Sequence, residues 1–301
     1  MNTAARPRHI FLCADDYGIS PGVSQAIREL IEQGRINATS VMMVAPALAQ
    51  DDIDALTRHS SVCAIGLHVT LSAPFRPLTG ARSGRSRGGF PPFQSLLRAS
   101  LLRLLDRGPL REEIGAQIKA FSEAFGRPPD FVDGHQHVQI FPQIASAFVE
   151  AVSAAAPNAW VRQCGRAQMR SLRPRPTLKA RLEPKALVLD VLSAGFRRVA
   201  AASHLRFNPA FAGAYDFTRD ADFAALMGSF LRGLPEHSVV MCHPGFVDPV
   251  LTGLDPMTAS RTREHTFLAG DEFPRLLAQN SVTLQGPSWP EFEFLTPHAE
   301  N

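Results

Sequence analysis

Cysteine is scarce and scattered in this 301-residue chain: Cys13, Cys63, Cys164 and Cys242 stand far apart and form no CxxC pair. A paired-thiol zinc or redox motif is therefore excluded. Three of the four lie inside apolar, strand-like runs, which suits small buried thiols in a reducing compartment, and a cytoplasmic location is expected. Long apolar runs are missing as well. None reaches the length that spans a bilayer, and the N-terminal MNTAARPRH lacks the apolar centre of a secretory signal. Charge of one sign is also missing: the net charge of +3 is too small to point to nucleic acid, although the arginines are unevenly placed. No internal repeat and no linker between two cores is found. With 45% hydrophobic residues, the chain can bury a sizeable core.

The most informative stretch is IFLCADDYG, residues 10–18. A short apolar run bounded by a turn signal reads as a strand buried on both faces. Asp15 and Asp16 then fall at its carboxyl end, where parallel-sheet proteins place their ligands. Adjacent strand residues point to opposite sides, but where the chain turns both can face one cleft. Side by side, two carboxylates repel unless a cation or a shared proton stabilises them. A plain turn, with Ser20 capping the next helix and Pro21 at its first position, explains those two residues but not two acids in a row.

Helical spacing over 21–33 stops at Gly34; 37–44 reads as a strand, 47–59 as a helix and 62–71 as a strand. Residues 74–92 are rich in Gly, Pro, Ser and Arg without periodicity and read as a long loop. Helices are expected over 93–105 and 110–125, a short strand at 131–134 leading into GHQHVQIFP, a helix over 142–155 and a strand at 160–163. After an irregular stretch rich in Arg and Pro, a basic helix at 185–199, a strand at 203–207, a helix at 220–234 and the strand SVVMC at 238–242 follow. Helices near 261–267 and 271–279 and a strand at 281–285 close the chain. Strands alternating with helices predict a parallel sheet. The expected fold is one α/β domain over 1–301, most simply a (β/α) barrel of seven or eight strands that need not be regular, with loop insertions near 74–108 and 164–206.

The predicted strand ends carry Asp15 and Asp16, His68, His135 and His137, Arg162, and His243. In a barrel these ends converge on one face. One carboxylate with two imidazoles is a common set for a divalent metal. His68 taken alone is more often a hydrogen-bonded core histidine. His135 and His137 differ, because an HxH pair on one strand face is a frequent metal-binding arrangement. His243 is presented at a strand mouth by Pro244 and Gly245, or simply caps that loop.

In this order the motifs resemble the YdjC-like carbohydrate deacetylases, which include chitooligosaccharide deacetylases and the deacetylase of hopanoid biosynthesis. ADDYGIS matches the family's ADDFG-type segment, IGLHVTL its LH segment and DGHQHVQIFP its DSHxHVHxxP segment. VRQ with Arg162, MCHPGF and a TREHTFL-like helix follow. The resemblance covers nearly the whole chain. It implies a barrel related to polysaccharide deacetylases, one divalent metal ion (magnesium or zinc) and removal of an N-acetyl group from an amino sugar. By position it implies Asp16, His68 and His135 as metal ligands, Asp15 as general base, His243 as general acid, and Arg162 orienting Asp15 or a substrate oxygen. His137, Gln139 and Tyr17 are expected to contact substrate. Gln139 stands where the family has a third histidine, and Tyr17 replaces Phe. Rival readings are a barrel metallohydrolase of another ester or phosphoester, and a carbohydrate-binding protein without turnover. The loop at 74–92, with Arg76, Arg82, Arg85 and Arg87, is expected over the site, either as a lid for an anionic sugar or as a solvated loop. For the basic stretch at 182–205 a peripheral contact with an anionic membrane is the less favoured reading; core packing or a homodimer contact explains its apolar face equally well.

Overall fold

The computed structural model describes residues 6–80, 88–166, 184–217 and 220–288. β1 (Arg8–Tyr17) is buried from Ile10 onward, as an apolar run in a parallel sheet must be. α1 (Pro21–Glu32) starts where the sequence predicts: Ser20 accepts a hydrogen bond from the Val23 N–H, and Pro21 takes a first-turn position where a missing N–H costs nothing. There follow β2 (Ala38–Val41), α2 (Gln50–Thr57), β3 (Ala64–Val69), α3 (Phe93–Leu101), α4 (Arg107–Phe125) and β4 (Phe131–Gly134). A 3-10 turn (His135–Ile140), α5 (Ile144–Ala155), β5 (Trp160–Val161), α6 (Pro184–Ala202) and β6 (Phe211–Ala212) come next. α7 (Phe223–Leu231), β7 (Val239–Cys242), α8 (Pro249–Leu254), α9 (Ala259–Ala269), α10 (Glu272–Gln279) and β8 (Val282–Leu284) complete the described elements.

The strands pair in the order β5-β4-β3-β2-β1-β7-β6, all parallel, and β8 pairs with the foot of β1. The result is an α/β half-barrel. β1 is its axis, since β2, β7 and β8 all lie against it. Asn37 joins three of these strands: its Oδ1 accepts from the Leu12 N–H, and its Nδ2 donates to the carbonyls of Ile10 and Gln285. Ile10, Phe11 and Leu12 are essentially inaccessible to solvent. Truncating Phe11 to Ala would therefore cost about 3–5 kcal/mol. On β3, Gly66 is required by packing, because a Cβ there would lie 2.5 Å from the Phe131 ring, which stacks on Trp160.

The strand expected at 203–207 is not formed. Phe207 makes a single bridge to Val161, and the next strand begins at Phe211. The Asn208 side chain replaces the ladder here, accepting from Gln163 N–H and donating to the carbonyls of Gln163 and Ala210. α8, unpredicted, is capped by Asp248, which also accepts from the Gly22 N–H and so ties this segment to α1. Arg82, Arg85 and Arg87 lie outside the described residues. Before them, Leu78 and Thr79 donate their backbone N–H groups to Glu113 on α4, and Arg76 is exposed.

Candidate active site

The site is built around a bulge at the end of β1. Ala14 pairs with Thr39 and Tyr17 with Val41, so β1 carries one residue more than β2 across this interval. Asp16 takes the extra turn in the left-handed region, at φ 69°. A bulge re-aims side chains that a regular strand would alternate. Asp15 and Asp16 are both buried, each in its own set of partners.

Asp16 faces two histidines. His135 Nδ1 lies 2.9 Å and His68 Nε2 3.3 Å from Asp16 Oδ1. One ligand atom from each of the three residues falls within 4.8 Å of the others. His68 donates through Nδ1 to Asp133 Oδ1 at 2.6 Å, which fixes the ring with Nε2 towards the cluster. A carboxylate behind a histidine is the usual support for a metal-binding imidazole. His135 is slightly open to solvent whereas Asp16 and His68 are not, so the site is reached past His135. This donor set fits a divalent cation. Burial would lower the pKa of His68, but Asp133 and Asp15 outweigh it and raise the value to about 10. Burial alone would raise Asp16, yet Arg261 and His135 hold it well below the usual carboxylate range.

Asp15 is held differently. Arg162, fully buried at the end of β5, forks onto both of its oxygens at 2.8 and 2.7 Å. The same guanidinium lies 2.8 Å from Asp133 Oδ2. Cys13, Asp15 and Asp133 form a second cluster with metal-ligand spacing, but Arg162 already supplies its cation. Burial pushes Asp15 up, and Arg162 with His68 more than reverses this, leaving it ionised. Ser40 lies between the two halves, 3.4 Å from Asp15 Oδ1 and 3.0 Å from His68 Nδ1.

His243 follows β7 and is nearly buried, with its Nδ1 unpartnered among the described residues. Burial lowers its pKa to about 4, against the opposing pull of Asp16 and Asp15. Its backbone N–H donates to Glu264, whose other oxygen accepts from the Tyr215 hydroxyl at 2.6 Å. Phe217 meets the His243 ring edge-on, as Phe75 meets His135. On α9, one turn before Glu264, Arg261 ties Asp16 Oδ2 to Asp255 Oδ2, each at 2.5 Å.

Three sequence readings need correction. The HxH pair is not on a strand face. His135 opens the 3-10 turn, and Gln136 and His137 both adopt left-handed angles, at φ 55° and 59°. Strand alternation is lost, so His137 diverges towards Cys164 and Phe211. Tyr17 does not face the site either: its hydroxyl donates to the Asp52 carbonyl and accepts from Arg28, between α1 and α2. Gln139 is fully buried and donates to the Arg162 carbonyl, so it supports the backbone of β5 rather than touching a ligand. Asp133, Arg261 and Glu264 escaped sequence reasoning. The available signals were position: Asp133 opens the DGHQH motif, and Arg261 and Glu264 share a helical face three residues apart.

The profile of the family described as YdjC-like protein matches residues 9–279. A mouse protein named carbohydrate deacetylase is 30% identical, covering 93% of this chain and 94% of that one. A human carbohydrate deacetylase is 35% identical over 156 residues, 50% of this chain and 47% of its own length. A chitooligosaccharide deacetylase of Escherichia fergusonii is 29% identical, covering 84% and 92%. Among solved structures, an Enterococcus faecalis protein described as a cellobiose-phosphate cleavage protein superposes with a TM-score of 0.70 at 20% identity, covering 93% and 98%. A lactam utilization protein of Thermus thermophilus superposes with a TM-score of 0.51 at 16% identity, covering 92% and 99%. These two structures share the fold.

Proposed function

Because the chain belongs to the YdjC-like family, we infer that it is a metal-dependent hydrolase that removes the N-acetyl group from an amino sugar. The observation that carries this reading is the division of labour at the β1 bulge. Asp16 faces two imidazoles, and its neighbour Asp15 is held by an arginine. Two adjacent carboxylates with different partners can do different jobs, as amide hydrolysis requires.

Asp16, His68 and His135 hold the metal in this account. Two imidazoles favour a zinc-like ion over magnesium, which prefers oxygen ligands. Lewis acidity is what such an ion supplies when bound, polarising the acetyl carbonyl and easing deprotonation of water. Asp15 is the general base. Arg162 fixes both of its oxygens; Ser40 and Cys13 also donate to Oδ1, and Oδ2 retains a lone pair for the proton of the attacking water. His243 is the general acid: uncharged at rest, it takes up a proton from solvent as negative charge building on the substrate raises its proton affinity, and it passes that proton to the amine as the C–N bond breaks. A substrate contact by His137 rests on the family resemblance and on its place in the 3-10 turn that carries His135.

The relatives' names point to an acetylated carbohydrate, either free, as an oligosaccharide, or attached to a carrier. Four unpaired, buried cysteines agree with a reducing compartment such as the cytoplasm. Acetate release from N-acetylglucosamine oligomers, measured beside cleavage of O-acetyl and phosphate esters, tests the reading. Acetate from the amide substrates supports it. Turnover of the esters alone would move the chain to another metallohydrolase class, and no turnover of any substrate would leave a binding protein.

A further inference from the structure

The large apolar side chains most exposed along one connection are Leu101, Leu102 and Leu104, at 54, 68 and 73%. Leu101 ends α3, and Leu102 and Leu104 lie in the turn that leads to α4. Exposure of three leucines within four residues is not incidental, because scattered single apolar residues are the norm on a soluble surface. Nor is the turn loosely attached. Ser100 donates to the Pro142 carbonyl, and Gln143 both donates to the Leu105 carbonyl and accepts from its N–H. Within the turn, Leu104 N–H donates to the Ala99 carbonyl. The scaffold therefore holds the leucines outward.

The location is specific. α4 returns from this turn to the start of β4, so the turn lies on the face where the strands end, the face of the candidate site. Its anchors, Pro142 and Gln143, directly follow the 3-10 turn that carries His135. Basic residues surround the leucines: Arg98, Arg103, Arg107 and Arg111 are all exposed, against Asp106 and Glu112. Arg107 is paired with Glu150 on α5, and Asp106 caps the first turn of α4.

We propose that the α3–α4 turn is a membrane-insertion tip that docks the face bearing the site onto an anionic lipid surface. The charge pattern selects this occupant, since leucines ringed by arginines match the acyl boundary and the anionic headgroups of a bilayer together. The shape agrees. The tip is a convex turn of four residues and offers far less than the roughly 800 Å² per partner that a stable protein interface buries. The proposal does not depend on which bond the enzyme cleaves.

Flotation of the full chain with vesicles tests it. Vesicles of phosphatidylcholine alone are compared with vesicles containing phosphatidylglycerol, at low and at physiological salt, alongside sedimentation velocity without lipid. The wild type is expected to float with the anionic vesicles, more weakly as salt rises. Leu101→Ser/Leu102→Ser/Leu104→Ser should bind them at least tenfold more weakly, with an unchanged circular dichroism spectrum. Arg98→Glu/Arg103→Glu should lose the preference for anionic lipid. Absence of wild-type flotation, or equal flotation of the leucine variant, overturns the proposal. So does a wild-type dimer that the leucine variant converts to monomer, which would make the turn a contact between two copies of the chain.

Discussion

Arg261 Nη2 lies 2.5 Å from Asp16 Oδ2, while Oδ1 is the oxygen nearest to both histidines. Oδ1 alone is left towards His68 and His135. The guanidinium thus sets which face of Asp16 meets a ligand, and through Asp255 it couples that orientation to the segment after α8. Arg261→Lys keeps the charge but loses the planar guanidinium, whose Nε donates to the Met257 carbonyl and so holds the Nη2 that reaches both acids. It should weaken divalent metal binding about 10-fold to 100-fold, read by calorimetric titration. Arg261→Ala leaves two acids without their cation and should also cost about 3–5 kcal/mol of stability, read by urea unfolding.

Asp133 holds the opposite side of the cluster. It accepts from His68 Nδ1 and lies against Arg162, so one carboxylate orients both a candidate ligand and the support of the candidate base. Asp133→Asn should weaken metal binding about 10-fold to 100-fold and lower kcat further, even at saturating metal. A variant that recovers full kcat once metal is saturating would show that Asp133 acts on metal affinity alone.

Gly134 and Gln139 are departures that belong together. The family pattern has serine and histidine at these positions, and a Cβ at residue 134 would lie 2.7 Å from Gln139 Oε1. Gly134→Ser alone should therefore destabilise the protein, and Gly134→Ser/Gln139→His should recover part of the loss, with a coupling of about 0.5–3 kcal/mol in a thermal-unfolding cycle. Because Gln139 bonds to the Arg162 carbonyl, Gln139→Ala should reduce stability by about 1–3 kcal/mol and leave KM unchanged. A large KM change would return Gln139 to the substrate surface.

Stability of the metal-free protein should fall on both sides of neutrality. Asp15 and Asp16 are held below their ordinary value of 3.8, so their contribution is complete above it and is lost as the unfolded chain takes up protons in acid. His243 acts in the same direction, since its value drops from 6.5 to about 4 and the unfolded state binds more protons between the two. Glu264 acts oppositely. Burial raises it from 4.5 to about 7, so the folded state binds more protons in that interval and loses stability as pH rises through 7. Burial would lower His68, but Asp133 and Asp15 raise it from 6.5 to about 10, so its contribution is lost over that interval and makes the alkaline limb. Melting temperatures from pH 3 to 9 should show both limbs, and Glu264→Gln should remove only the opposing loss between pH 4.5 and 7.

The sequence makes the frame legible because its signals are local. Apolar runs, Ser20 with Pro21, and the strand-ending histidines need only their neighbours to be read, and β1, α1 and the approach of Asp16 to His68 and His135 follow from them. What stays hidden depends on partners far away along the chain. Arg261 is 245 residues from Asp16, and its spacing to Glu264 on one helical face is the single local sign of a shared buried role. The HxH pair misleads because period two holds only while the backbone is extended, and two left-handed residues break it. Tyr17 misleads similarly: the bulge that turns Asp15 and Asp16 into the site leaves the next residue facing the helices.

The most direct test of the central claim is the divalent metal content of the purified protein at equilibrium, wild type beside Asp16→Ala and His135→Ala. With Asp16, His68 and His135 as ligands, the wild-type chain carries close to one zinc-like ion and both variants lose it. Equal metal content in all three proteins, or none in any of them after titration, would contradict it and leave the cluster as a buried structural network.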